Sequence, residues 1–598
     1  METTQVVNVM HLTGLDFAII AAYFVISLGI GVLFSKRAGE SMEEYFISGR
    51  ALPWWLAGTS MVATTFAADT PLAVTGLVIT NGIAGNWVWW SMAIGGMLTV
   101  FFFARLWRRA EVLTDVELID LRYSGKTAKV LRVFRALYLA IPINCLIVGW
   151  VTMAIVKVMK VSLGANEWTV LIISLVITGI YSVLSGLWGV AITDFVQFII
   201  AMTGCIILAV LAVKDVGGLS TLIAGITEKY GATNTLKFIP DFHSSQEWMP
   251  VQAFLIFLGV TWWASWYPGA EPGGGGYVVQ RMASCKDERH SVLATLWFQV
   301  AHYALRPWPW IIVALCALYY YPQLHLPNAD ANAGFPMIMA KVLPPGMRGL
   351  MIVAFFAAFM STLATQINWG ASYVINDFYK PFIKPSASSK HYIFVSRIAT
   401  VVILFIGAVV STKLGSVEQA WKIMLTIGAG TGMVFLLRWF WWRINAWAEI
   451  SAMVASLIIG CFLIFGFKDE NGVSKLKDYN QILITAISTM VIWVVVMFLT
   501  PPESEEKLIS FFRKVRPGGP GWRRIQKKAP DVIPDKNLGV CFVAWILASV
   551  MVYSVLFGIG KLIFGFKSLA ILLFCVAIFC AGCIYIILSK FGWKEITK

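Results

Sequence analysis

Long apolar runs separated by short polar connections occupy most of this chain between residues 14 and 588. A strand with one wet face alternates with period two; these runs do not alternate, and each can cross about 30 Å of hydrocarbon as a helix. The pattern predicts fifteen spans, at 14–34, 53–80, 86–104, 134–156, 166–183, 187–213, 250–275, 293–321, 349–376, 394–412, 418–440, 446–467, 480–500, 537–560 and 568–588. Because lipid satisfies no backbone polar group, only helices or a closed barrel span it, and the unbroken runs select an all-α polytopic membrane protein.

Two of the runs are interrupted. In the second, SMVATTFAADTPLAVTG is cut at Asp69-Thr70-Pro71, where proline removes a donor and opposes helix in the residue before it. In the seventh, QAFLIFLGVTWWASW runs into Tyr267-Pro-Gly-Ala-Glu-Pro-Gly-Gly-Gly-Gly-Tyr277, and four successive glycines hold a helix poorly. The two spans lie five steps apart and so cross in opposite directions. Interrupted helices at matching places in two oppositely oriented halves point to an inverted-repeat transporter with its site near the midplane. The plain structural alternative is a proline kink and a ligand-free glycine loop. Asp69 tells against it, since a carboxylate at that depth costs at least about 2.5 kcal/mol unless paired or hydrated.

Composition fits this reading: charged residues are 13% of the chain against about 25% in globular domains, and hydrophobic residues reach 58%. The net charge of +15 forms no continuous basic face of the kind that binds nucleic acid. An acidic approach with Glu2 before the first span, and Lys36 and Arg37 behind it, predicts insertion without a cleaved signal, N-terminus outside and C-terminus cytoplasmic. Alternation from there places 32 of the 47 Lys and Arg on the cytoplasmic side and 13 outside, with Arg306 and Lys422 in spans. Loops 105–135 and 501–537 hold 17 of the 32. The second of these has a Pro-Gly-Gly-Pro centre that argues for a connector rather than a packed domain, with lipid headgroups an alternative site for its basic and aromatic residues. The nine cysteines lack paired metal-type spacing, so neither a disulfide framework nor a zinc site is expected.

In the ninth span, Ala358, Ser361, Thr362 and Thr365 recur at steps of three and four and share one stripe of the helix. Hydroxyls beside a helical carbonyl suit a hard cation such as sodium, although small polar residues in membrane helices also serve close packing. Asp194 is a second deep acid, suited to capping a helix, to pairing with a buried Arg or Lys, or to an ion path. Arg306 is either the counter-ion of a buried carboxylate or a snorkelling residue. His302, the only histidine within a span, receives no role.

The FISGR stretch, SMVATTFAADTPLAVTG, GLWGVAITDFVQ, YVVQRMASCKDERHS, and AAFMSTLAT followed by ASYVINDFYKPF, in this order and spacing, resemble the sodium:solute symporters over about residues 14–441. The resemblance implies a leucine-transporter-type core of two inverted five-helix repeats, at 53–213 and 250–441. An extra helix lies in 1–52, a loop at 214–249, and about four more helices in 442–598. It implies a sodium site from the carbonyls of Ala63, Phe66 and Ala358 and the hydroxyls of Ser361 and Thr362. Some relatives hold a second sodium on an acid matching Asp194 and hydroxyls matching Ser361, Ala364 and Thr365; Ala364 has no hydroxyl to give. Tyr277 matches an aromatic that closes the substrate pocket of sugar carriers. The polar sugar contacts of such carriers are replaced by Gly273 to Gly276 and by Trp89. Asp69, Thr70, Trp89, Gln252 and Tyr277 are the expected pocket wall.

The expected activity is sodium-coupled import of a small polar solute across the plasma membrane, with sugar-like solutes favoured and a monocarboxylate or amino acid as the alternative. Bilayer, solute and sodium are the partners, with no nucleic acid and no obligatory protein. A polytopic group transferase would gather His, Asp or Glu at an interface, whereas five of the six histidines lie in tails and loops. A sodium-responsive receptor would carry a signalling domain, for which the residues after 588 are too few.

Overall fold

The computed structural model describes residues 9–592 apart from 232–234, 241, 243–248, 268–271, 327–328, 415–416, 470–473 and 536. Ten described helices are long and apolar enough to cross a membrane, and counting each of two bent pairs as one span gives up to 12. The other three expected spans are short or interrupted. Two begin as the apolar helices Glu167–Ile180 and Val251–Ala264. The third, around 288–320, is divided by Arg306 between a wide turn at Ala301–Leu305 and Pro307–Tyr320.

Alternation across a bilayer requires the connections to sort into two groups, and they do. At one end Arg50 bonds to Glu111 and Ala283, Arg108 to Cys285, Arg132 to Asp377, and Ser124 to Glu503. At the other, Lys157 pairs with Asp330, His325 with the Ile79 carbonyl, Trp87 with the Phe238 carbonyl and Lys422 with Asp478. Between these ends the ninth span is central: 94% of the membrane-length window of Met347–Ile383 is buried, against 17% for the first helix and the last.

The second span breaks at Phe66-Ala67-Ala68, between Trp54–Thr65 and Asp69–Asn81, with a bend of 58°. The break therefore precedes Asp69-Thr70-Pro71 by a turn, because a proline without an N–H is tolerated in a helix's first turn. In the seventh span helix stops at Ala264 and resumes at Gly276, and residues 268–271, which include Glu271, lie outside the described residues. Gly273 and Gly274 both take φ of +83°, which L side chains rarely adopt. The Gly273 amide donates to Thr99 and its carbonyl accepts from the Trp107 indole, so neighbouring side chains replace its lost helical bonds.

A third break was not expected. Ala420–Gly428 and Gly432–Phe440 meet at 41°, and the Trp266 amide of the seventh span donates to the Gly428 carbonyl at 3.0 Å. The two gaps thus satisfy each other's backbone.

The 501–537 loop also departs from expectation, because it packs. Helix Glu505–Val515 buries Leu508, Phe511, Phe512 and Val515, and Pro520 starts a turn that buries Trp522, whose indole donates to the Trp439 carbonyl at 2.7 Å. These aromatics face protein rather than lipid headgroups. The Pro-Gly-Gly-Pro centre supplies the reversal that folds the segment back, with Gly519 at φ +104°.

Candidate functional site

The break of the second span and the half-helices on either side of it, with the third, fourth, seventh, eighth, ninth and eleventh spans, line a pocket whose ≈ 850 Å³ of atom-free space includes open solvent. Asp69, Thr70, Trp89 and Tyr277 line it. Gln252 does not: it is exposed at the start of Val251–Ala264, where its amide donates to Asn480. It belongs to the outer turn of that helix, more than two turns before the break.

Aromatic faces form much of the wall. Trp89 lies against Tyr303 with ring centroids 5.8 Å apart and meets the His302 ring edge-on, and Trp150 stacks on Tyr267 at 6.3 Å with planes 7° apart. The Trp89 indole N–H is taken by Asn86, leaving its ring as the cavity surface. Such surfaces suit the C–H faces of a ring-shaped or extended organic solute.

Polar groups interrupt the wall at a few points. Arg306 is 1% exposed and lines the cavity beside His302. Its guanidinium donates to the His302 carbonyl and Thr65 hydroxyl and meets the His302 Nε2, while His302 Nδ1 contacts the same Thr65 hydroxyl. Among the described residues, the buried atoms Asp69 Oδ1, Gln366 Oε1 and Trp421 Nε1 have no hydrogen bond within 3.5 Å, and all three residues face the cavity, with the Trp421 indole a donor beside the Asp69 carboxylate. Neither Arg306 nor Asp69 has an oppositely charged group within 4.0 Å among the described residues; of the two roles open to Arg306 in the sequence, snorkelling is excluded by its burial.

The expected sodium ligands lie beside this cavity. Ala63, Phe66, Ala358, Ser361 and Thr362 are all buried. The Thr362 hydroxyl is 2.7 Å from the Thr64 carbonyl and 3.1 Å from that of Ala358, joining the ninth span to the carboxyl end of the broken helix. There the last carbonyls have no helical N–H to accept from, apart from the Phe66 amide, which reaches Val62 and Ala63. These neutral oxygens suit a hard monovalent cation. The Ser361 hydroxyl donates its hydrogen to Asp194 Oδ1 at 2.7 Å, which leaves its oxygen as an acceptor.

Asp194 and Thr365 are brought together by a residue to which sequence reasoning gave no role. Arg281 donates to Thr365 at 2.6 Å and to Ser60 at 3.1 Å and stands 3.6 Å from Asp194, while Ser60 donates to the same carboxylate. Of the three roles open to Asp194, the structure shows pairing with a buried arginine. The signal was present in YVVQR, where a charge sits in a helix resuming at membrane depth. Ser60, Gln366 and Trp421 gave no comparable signal, being ordinary residues of apolar helices.

The sequence profile of the sodium:solute symporter family matches residues 45–460. A sodium/glucose cotransporter of Vibrio parahaemolyticus is 26% identical over 515 residues, covering 81% of this chain and 92% of the relative. A sodium/myo-inositol cotransporter of Mus musculus is 25% identical over 549 residues, covering 82% and 74%. Among solved structures, a Na+-coupled sialic acid symporter in a substrate-bound outward-open state matches with a TM-score of 0.66 at 20% identity, covering 82% of this chain and 99% of that one. This last likeness is one of fold, the leucine-transporter-type arrangement of inverted repeats.

Proposed function

The chain belongs to the sodium:solute symporter family, and from that premise we propose that it imports a small polar organic solute together with one sodium ion. The relatives named for glucose and myo-inositol favour a hydroxylated, sugar-sized solute. The basic loops favour the plasma membrane orientation with the N-terminus outside and the C-terminus in the cytoplasm.

The observation that carries the reading is the position of Thr362. Its side chain lines the solute cavity and its hydroxyl bridges the broken helix and the ninth span. A cation held by the carbonyls of Ala63, Phe66 and Ala358 and the hydroxyls of Ser361 and Thr362 ties those elements together and fixes the wall formed by Thr64, Thr65 and Thr362. Sodium thereby selects the cavity shape that binds solute, and loss of sodium on the inner side releases it.

Arg281 supports a reading of one ion per cycle. Its guanidinium satisfies Asp194 and Thr365, the groups a second sodium would need, while Ala364 lacks the remaining hydroxyl. One sodium moving down about 100 mV supplies roughly 2.3 kcal/mol and a tenfold gradient about 1.4. Accumulation of a neutral solute then has a ceiling of roughly 500-fold.

Uptake into proteoliposomes under an imposed sodium gradient tests the reading. Uptake should collapse when potassium replaces outside sodium, and its initial rate should depend on sodium with a Hill coefficient near one. Uptake that proceeds equally without a sodium gradient would refute sodium coupling.

A further inference from the structure

We propose that a groove at the basic-loop end of the membrane region holds one anionic phospholipid, its phosphate on Arg105 and an acyl chain along the groove; the inference holds whichever solute the central cavity carries. Val100 and Phe101 of the third span, Val292 of the eighth, Val540 and Ala544 of the fourteenth and Leu588 at the end of the fifteenth line the groove with Arg105. Further from the basic loops the fourteenth span is bound directly to the third: the Trp545 indole donates to the Ile94 carbonyl and the Tyr553 hydroxyl to the Trp90 carbonyl, both at 2.8 Å. Toward the basic loops these helices leave ≈ 420 Å³ of atom-free space that includes open solvent. Val540 and Leu588 are only partly buried, and Val543 and Ile586 beside them are exposed, so the groove lies at the surface that meets lipid.

Arg105 is the charged side chain of this groove and is 7% exposed. Its Nε is buried without a hydrogen-bond partner among the described residues, and its Nη2 reaches the Cys541 thiol at 3.5 Å and the Asp535 carboxylate at 3.3 Å. A charge-assisted N–H···O bond runs at about 2.7–2.9 Å, so Asp535 is a loose partner. It is also a shared one, since Arg109 approaches the same carboxylate at 3.4 Å while holding Glu288 through two bonds of 3.0 Å. Arg108 donates to the Cys285 and Lys286 carbonyls and has no ion pair within 4.0 Å among the described residues. Arg108 and Arg109 follow Arg105 by three and four residues, so one helix end carries three guanidiniums on two paired carboxylates. The planar fork of a guanidinium matches phosphate oxygens.

The plain alternative is that Arg105 only anchors Asp535 and that any lipid tail fills the groove. The buried Nε tells against it, because a donor left without a partner costs about 1–3 kcal/mol, and a phosphate oxygen entering from the groove supplies the missing acceptor. A net-anionic headgroup fits better than a zwitterionic one, whose cation would approach Arg108 and Arg109. The leaflet at this end is cytoplasmic in the orientation proposed above; that leaflet carries the anionic lipids, and basic pockets between membrane helices there take their headgroups. A free phosphate would satisfy Arg105 but leave the apolar groove unused.

Native mass spectrometry of the full-length protein in detergent, titrated with phosphatidylglycerol or phosphatidylcholine, tests the proposal, and a phosphatidylglycerol carrying a diazirine in its acyl chain maps the contact. One phosphatidylglycerol should be retained at a concentration at least tenfold below that needed for phosphatidylcholine, with crosslinks on the peptides that contain Phe101, Val540 or Ala544. Arg105→Gln should weaken retention at least tenfold. Val540→Trp, which fills a partly exposed position of the groove and leaves Arg105 in place, should remove the same crosslinks. A large excess of inorganic phosphate should not displace the lipid; displacement would show a site for free phosphate and overturn the lipid assignment. Equal retention of the two lipids, crosslinks confined to other faces, or full retention by Arg105→Gln also overturns the proposal. If Arg105→Gln does not fold, the lipid comparison and the crosslink map on the unsubstituted chain decide it.

Discussion

Thr362 and Ser361 are neighbours on one helix with different bonds, and the difference predicts different losses. Thr362 bonds to the Thr64 and Ala358 carbonyls, so Thr362→Ala removes both a cation ligand and the tie to the broken helix. The half-saturating sodium concentration for uptake should rise about tenfold, corresponding to about 1.4 kcal/mol, and Thr362→Ser should restore most of it. Unchanged sodium dependence in both Thr362→Ala and Ser361→Ala would defeat the ligand assignment. A second prediction concerns Arg281. Arg281→Gln leaves Asp194 as a buried charge without its cation, a loss of about 3–5 kcal/mol, visible as a lower detergent melting temperature. Asp194→Asn in the same chain should recover part of it, whereas additive losses in the double variant would show that the pair is not coupled. The hydroxyl stripe was legible because i, i+3 and i+4 spacing within one helix fixes a shared face. The identity of Asp194's partner was not, since Arg281 reaches it from another span and no local pattern links them. Gln252 failed for a related reason: its polarity marked it, but its place at the helix start set it far from the break.

At the scale of elements, the glycines explain why two gaps can meet. A Cβ on Gly432 would lie 2.2 Å from the Trp263 carbonyl oxygen, and one on Gly428 would lie 2.3 Å from that of Trp266. Neither backbone oxygen can move without shifting the seventh span, which carries Tyr267 into the cavity wall. Gly432→Ala should therefore abolish uptake and lower the melting temperature by several degrees, as overpacking costs about 1–3 kcal/mol. Gly259, in the same seventh span, has open space for 4 Å around the point a Cβ would occupy; Gly259→Ala should change stability by less than about 0.5 kcal/mol. Equal effects in the two variants would show that close approach is not the reason for Gly432. The break just before Pro71 and the one at the glycine run were readable because proline opposes continuation of the helix that precedes it and consecutive glycines hold a helix poorly. Gly428-Ala-Gly-Thr-Gly432 was not, since alternating small residues in an apolar run read equally as a packing face, and only the crossing shows which applies.

Over the whole molecule, the 501–537 segment closes one end. Arg109 at the end of the third span pairs with Glu288 at the start of the eighth and with Asp535 of the segment, and it donates to the Val515 carbonyl. The segment's Trp522 holds the end of the eleventh span at Trp439, and Arg122, from the connection between the third and fourth spans, lies over the Trp522 ring at 5.1 Å. Elements that must move relative to one another in alternating access are thus joined by one packed cap. Cys285 lies at this end, buried, with its carbonyl bound by Arg108. Burial pushes its thiol up, away from the reactive thiolate. If the cap restrains opening at this end, Trp522→Ala, or the milder Asp535→Asn, should raise the rate at which a soluble maleimide labels Cys285, read by mass spectrometry of its peptide. Sodium half-saturation should stay within about twofold, because the cap touches none of Ala63, Phe66, Ala358, Ser361 or Thr362. A cap that is only a connector leaves the labelling rate unchanged in both variants. A cap that stabilises the fold as a whole speeds labelling of Cys145, deep in the fourth span, as much as of Cys285. Selective exposure of Cys285 is the outcome that separates restraint of one end from general loosening.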